Sequence, residues 1–211
     1  MDVSFVAGLD VAYARAQAGR SCGAQAHRCW AAAVLWDLAA GVPGEQVVTE
    51  SSAPFPYVPG LLALRELPAL LEALRALSTS PHVLLCDGHG RAHPGRFGLA
   101  CHLGLATGLP TIGCAKSLLA GEYQQPGEAS GSRSPLVDRG ERIGTVLRTR
   151  SSTRPVFVSV GHMVGLDEAE ELVLACVGAS RIPEPLRLAH ILATRTARAA
   201  EGNPTPGLPR S

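Results

Sequence analysis

The spacing of apolar residues changes character once along this chain, and that change restricts the fold more than any other feature. Phe5–Tyr13 (FVAGLDVAY), Trp30–Leu38 (WAAAVLWDL) and Glu45–Glu50 (EQVVTE) read as three successive strands. The connector Ala14–Cys29, with Gly19 and Gly23, reads as a long hairpin loop. From Gly60 onward, helical and strand-like segments alternate: Leu61–Leu77 helical, Val83–Cys86 strand, Phe97–Thr107 helical, Thr111–Cys114 strand. A meander followed by helix/strand units predicts an α/β fold, with a mixed sheet covered by helices.

Proline punctuates the later segments. Pro68 is expected to interrupt the first helical run, leaving a short turn at Leu61–Glu66 and a new helix that opens at Pro68. Gln124–Pro135 (QQPGEASGSRSP) reads as a flexible surface loop, followed by a hairpin from Arg142–Arg148 and Pro155–Val160. Asp167–Cys176 and Leu186–Arg198 read as helices. Residues 1–200 are expected to form a single domain, and Glu201–Ser211, with three prolines, a disordered tail.

Two segments carry most of the chemistry. The first is Phe55–Glu66 (FPYVPGLLALRE), in which Pro56 and Pro59 fix φ on either side of Tyr57 and Val58, so that a stiff turn presents the tyrosine ring as a wedge. The second is Cys86–Pro94 (CDGHGRAHP), which follows the apolar run His82–Cys86 and sets Asp87 where a strand ends in a glycine loop. Ligands of open α/β sheets bind at that kind of position. Asp10 lies inside the first strand between Leu9 and Val11, a place where a lone aspartate is disfavoured. It is an edge residue, a cap, or the partner of a cation. If the first strand is central and the Val83 strand lies beside it, Asp10 and Asp87 converge on one hard cation. Glu66, whose helical neighbours Leu62, Ala63, Ala69 and Leu70 are all apolar, then arrives from the helical layer. Three carboxylates completed by water suit Mg²⁺, and such an ion activates water and steadies the leaving oxygen of a phosphodiester.

Composition narrows the remaining choices. The formal net charge is +1, which removes any global electrostatic attraction for nucleic acid, so binding would rest on local groups. Arg133, Arg139, Arg142, Arg148, Arg150 and Arg154 form either a phosphate-facing edge or a solvated hairpin. Of the 19 basic residues only Lys116 is lysine, so that against a GC-rich codon usage favouring arginine it is either a chance survivor or a position needing a compact point charge, such as one facing a phosphate oxygen. His190 on the last helix is either a packed or solvated histidine or a proton donor or water-orienting group for this centre, and His93 on the Asp87 loop is either the same or a phosphate contact. The six cysteines show no metal spacing. With no apolar run of membrane length and no signal peptide, the chain reads as a reduced, cytoplasmic, monomeric protein without membrane contact.

Six ordered motifs resemble the endonuclease V family, whose fold is ribonuclease H-like: AGLD at Ala7–Asp10, FPYVPGLLALRE, DGHGRAHPGRFGLACHLG at Asp87–Gly104, PTIGCAKSLL, SVGHMVGLDEA and RIPEPLRLAH. The resemblance extends from about Phe5 to about Ala200. It implies that Asp10, Glu66 and Asp87 hold Mg²⁺, with Mn²⁺ as a substitute, and that His190 positions water or metal. It further implies that Tyr57 intrudes where the strand is opened, that Lys116 contacts the scissile phosphate region, and that a flipped hypoxanthine enters a main-chain pocket at Gly60–Leu62 and Gly88–Gly90. The implied activity is cleavage of the second phosphodiester 3′ to deoxyinosine in DNA, leaving the base in place. The alternatives are cleavage of inosine-containing RNA, a binding module without turnover, and another ribonuclease H-like nuclease such as a junction resolvase. The chain departs from the family in its short segment before Phe5 and its long Ala14–Cys29 connector.

Overall fold

The computed structural model describes residues 3–14, 27–53 and 62–202. The elements, in chain order, are strands β1 (Phe5–Tyr13), β2 (His27–Asp37) and β3 (Val42–Ala53), helix α1 (Leu62–Arg75), β4 (Val83–Cys86), α2 (Leu99–Thr107) and β5 (Thr111–Ala115). Three further strands, β6 (Arg133–Asp138), β7 (Glu141–Leu147) and β8 (Val156–His162), precede helices α3 (Leu166–Ala175) and α4 (Glu184–Ala200). One sheet holds the eight strands in the order β3-β2-β1-β4-β5-β8-β7-β6. Its centre is parallel, β1 beside β4 and β4 beside β5, and both wings are antiparallel. The expected meander and the helix/strand units after it are both present.

Burial on two faces explains the composition of the central strands. β4 (VLLC) is buried throughout, and β2 is buried from Cys29 to Trp36, because helices cover the sheet on both sides. Strand alternation sorts the residues between the layers. Ala7, Leu9, Ala31, Ala33, Leu84 and Cys86 pack with Ala69, Leu70 and Ala73 of α1 and Leu103 of α2. Val6, Val83 and Leu85 pack on the other side with Ala169 and Val173 of α3 and Leu186 of α4. Ala32 and Val34 meet Ala189 and Ala193 of α4. Gly8 lies on this second side, where a Cβ would stand 2.2 Å from the Pro185 carbonyl carbon. Only glycine admits so close an approach, and it seats the start of α4 directly on β1.

Three expectations need correction. α1 runs unbroken through Pro68. The carbonyl deprived of its partner belongs to Leu64, which is exposed, so solvent can satisfy it, and burial of the helix's apolar face offsets the roughly 3 kcal/mol cost of an interior proline. Glu66 therefore sits inside this helix and not at a junction. Arg133–Pro135 is not loop but the start of β6. Pro135 is tolerated because β6 is an edge strand, with β7 on one side only. β2 begins at His27, so the connector is shorter than expected, and residues 15–26 lie outside the described residues. The Pro56–Pro59 turn with Tyr57, Gly60, and the tail from residue 203 also lie outside them. Among the described residues no helix is long and apolar enough to cross a membrane.

Four of the six arginines expected to form a phosphate-facing edge or a solvated hairpin, Arg133, Arg142, Arg148 and Arg150, are instead tied into the fold, whereas Arg139 and Arg154 are exposed. Arg133 and Arg142 both bind Glu170, at 3.1 and 2.9 Å, and the Thr145 hydroxyl donates to the same carboxylate at 2.5 Å. Arg148 is buried and donates to the carbonyls of Gly127, Pro126 and Thr153, while Arg150 donates to that of Gly178. These side chains brace the β6–β8 wing against α3 and the neighbouring loops. Cys29, Cys86, Cys101, Cys114 and Cys176 are free and buried, as suits small core hydrophobes.

Candidate active site

The parallel centre of the sheet brings the singled-out residues together. Asp10 is near the end of β1, Asp87 immediately follows β4, and Lys116 immediately follows β5, so three adjacent strands present them at their carboxyl ends. Leu9 stands beside Cys86 in the parallel ladder, and the Asp87 amide donates to the Leu9 carbonyl at 3.3 Å, which fixes the two aspartates as neighbours. Alternation places Asp10 on the α4 side with Val6 and Gly8. There His190 Nδ1 lies 2.8 Å from Asp10 Oδ2. The aspartate side chain is 11% exposed and the histidine 54%, so His190 stands at the mouth of the site with Asp10 behind it. The hydrogen bond to Asp10 raises the pKa of His190 and favours the imidazolium.

Glu66 enters from α1 and is buried. Tyr13, at the end of β1, donates its hydroxyl to Glu66 Oε1 at 3.1 Å, and the Arg65 guanidinium lies 4.0 Å from the centre of the tyrosine ring. Burial is the main cause that pushes the Glu66 carboxyl up to about 8. The charges of Asp10 and Asp87 push the same way, against the Tyr13 hydrogen bond and Arg65. Asp87 is also raised, because burial outweighs its ion pair with Lys116. Tyr13 and Arg65 were missed from sequence. The only signal was an arginine beside Glu66 on an otherwise apolar helix face.

The loop after Asp87 is built by close backbone contact. A Cβ on Gly90 would lie 2.1 Å from the Val160 carbonyl oxygen, and the Gly90 amide donates to Ser159 Oγ at 2.9 Å. His89 is buried, and its Nε2 donates to the Ser117 carbonyl at 3.1 Å, tying the Asp87 loop to the segment that carries Lys116. Burial pushes the His89 imidazole down to about 4, so the ring is neutral. His93 is half-buried, and its Nδ1 accepts the Gly95 amide at 3.1 Å. A cavity of about 320 Å³ opens among Leu62, Gly88, His93, Phe97, Lys116 and Leu118, mostly apolar with a few polar groups converging on it.

Each site carboxylate is engaged by a protein partner: Asp10 by His190, Asp87 by Lys116, Glu66 by Tyr13. Among the described residues, no three His, Cys, Asp or Glu side chains stand in a ready-made metal-holding group. The donor chemistry still fits a hard divalent cation. The site offers only carboxylate oxygens and one imidazole, and Glu66 is crowded by two like charges, a repulsion that a cation would relieve.

The chain is similar throughout to proteins of one kind. The model of the endonuclease V family matches residues 1–191. Endonuclease V of Geotalea uraniireducens is 48% identical over 193 residues, covering 92% of this chain and 78% of that protein. The crystal structure of endonuclease V from Streptomyces avermitilis aligns with a TM-score of 0.85 at 45% identity, over 94% of this chain and 83% of that one. That of Ciona intestinalis endonuclease V, in complex with a 23mer DNA containing an inosine followed by a ribo-adenosine, aligns with a TM-score of 0.81 at 25% identity, over 94% and 87%. By sequence and fold alike, the chain belongs to the endonuclease V family of nucleases.

Proposed function

We propose that this protein is a divalent-metal-dependent endonuclease that cuts deoxyinosine-containing DNA at the second phosphodiester 3′ to the lesion and leaves the altered base in place. The observation that carries this reading is the gathering of Asp10, Asp87 and Lys116 at the carboxyl ends of three adjacent strands, with the charges of both aspartates felt at the buried Glu66. The inosine-bearing DNA held by the Ciona relative supports the choice of substrate.

Asp10, Asp87 and Glu66 would hold the ion, Mg²⁺ with Mn²⁺ as a substitute. When bound, it supplies Lewis-acid stabilisation of the charge that builds on the phosphoryl and leaving oxygens. The protein's own groups do the remainder. His190, held at Nδ1 by Asp10 and favoured in its protonated form, orients the attacking water or delivers a proton to the leaving oxygen. Lys116 balances Asp87 within the protein, and its ammonium is a compact charge for a phosphate oxygen once Asp87 is otherwise engaged. Tyr13 holds Glu66 through its hydroxyl, and Arg65 lies over the tyrosine ring. The cavity beside Gly88 and Leu62, with His93 on its wall, receives the extruded base, and the role of wedge falls to Tyr57, flanked in sequence by Pro56 and Pro59.

The test compares an end-labelled deoxyinosine DNA duplex with an inosine-containing RNA single strand, in Mg²⁺ and in chelator, with Asp87→Ala as control. Metal-dependent cutting of DNA one nucleotide beyond the lesion supports the reading. Preferential cutting of RNA moves the substrate to inosine-containing RNA, and binding of either without cutting leaves a binding module.

A further inference from the structure

Lys116, Ser117 and Leu118 line two hollows at once. On one side is the cavity of the candidate active site, and on the other a shallow groove of about 550 Å³ continues past Tyr123, Gln125, Ser152, Thr153 and Arg154. Arg148 and Arg154 both line this groove, and they differ in what they are free to do. Arg133, Arg142, Arg148 and Arg150 are all committed to carboxylates or carbonyls. The Arg154 side chain is exposed, and among the described residues no group pairs with its guanidinium. Tyr123 is half-buried and packs edge-on against Phe157 with ring centres 5.4 Å apart, and Gln125 Nε2 donates to its hydroxyl at 3.3 Å. The ring is thereby fixed. Ser152, in the left-handed region at φ 58°, forms the turn that precedes Thr153 and Arg154.

A free guanidinium, small hydroxyls and a fixed aromatic ring along one open channel are the elements that hold a single strand of nucleic acid without reading its sequence. Continuity with the site supplies the direction, because a strand whose phosphate lies at Lys116 must leave the site along a neighbouring surface. We propose that this groove carries the strand flanking the scissile phosphate, with Arg154 on a backbone phosphate and Tyr123 as a stacking platform for a flanking base. The proposal rests on the nuclease reading above and adds to it the path of the substrate. Glu128 also lines the groove and opposes a phosphate there, so its neutralisation should tighten binding.

The test measures binding of the full chain, by fluorescence anisotropy in chelator over a series of salt concentrations. The probes are a long inosine-containing single-stranded DNA and two versions trimmed to a pair of nucleotides on the 5′ or the 3′ side of the cleavage position. Arg154→Ala should weaken binding of the long strand about fivefold and reduce the salt slope by about 0.7, with or without inosine. Tyr123→Ala should cost about tenfold, Tyr123→Phe much less, and Glu128→Gln should tighten binding. On one of the trimmed strands, the one that no longer reaches the groove, these effects should vanish. Arg154→Ala and Tyr123→Phe keep their packing, so unchanged melting temperatures exclude misfolding as the cause. Wild-type affinity of Arg154→Ala and Tyr123→Ala for the long strand would overturn the proposal, as would losses that persist on both trimmed strands. Failure of the wild-type protein to cut deoxyinosine-containing DNA in Mg²⁺ would instead overturn the nuclease reading itself.

Discussion

Glu66 and Glu170 are both buried helical carboxylates, 9% and 1% exposed, yet their surroundings are opposite. Glu170 is met by Arg133, Arg142 and the Thr145 hydroxyl, so its charge is balanced and its oxygens are occupied. Glu66 has one tyrosine hydroxyl and lies near Asp10 and Asp87, which add to burial in holding it toward the protonated form. A buried charge with a full set of partners joins elements of the fold. One kept among like charges has a cost that the fold does not relieve and a ligand can, and perturbed carboxyls of this kind collect at functional sites. The same division separates the arginines of the β6–β8 wing, tied to α3 and to loop carbonyls, from Lys116, which faces the carboxylates at the ends of the central strands.

The contrast can be tested from both sides. Asp87→Ala should lower cleavage by on the order of 10³-fold, since a lost cation forfeits several kcal/mol of transition-state stabilisation, while the melting temperature barely moves. A collapse of that temperature would show that Asp87 belongs with Glu170 as a structural charge. Glu170→Ala should do the reverse. Urea denaturation should show a loss of about 2 kcal/mol, below the usual figure for a broken buried pair because both arginines are half-exposed and can turn to solvent, and cleavage per folded molecule should be unchanged. Lys116→Arg should reduce kcat about tenfold, because a planar guanidinium cannot replace a point charge at the same place. Full activity in that variant would reduce the sole-lysine reasoning to codon usage. The smallest effect is expected for Tyr13→Phe, about 1 kcal/mol of transition-state stabilisation from one lost hydrogen bond to Glu66, read as a several-fold fall in kcat/KM. Activity equal to wild type would show that Glu66 is placed by the helix alone.

Local pattern was enough to determine the strands that carry the site. Phe5–Tyr13 and Val83–Cys86 have the bounds expected from their apolar runs, because a strand buried on both faces leaves a continuous hydrophobic stretch that ends where the chain reaches solvent. Asp10, Glu66 and Lys116 stand out for a related reason, since each is a polar group where burial or composition makes it costly or rare, whereas Asp87 is marked by its strand-end glycine loop and His190 by the family resemblance. Their convergence was conditional on β1 lying beside β4, a pairing set by packing between segments far apart in sequence. The sequence misplaces Pro68 and Pro135 because a proline's effect depends on what faces the missing N–H, and only the tertiary arrangement puts the exposed Leu64 opposite one and the outer edge of the sheet at the other. The division of the charges was likewise decided in three dimensions. Nothing in the spacing of Arg133, Arg142 and Glu170 foretells their union, nor that of Tyr13 with Glu66, since partners for a buried charge are chosen by which elements the folded core brings face to face.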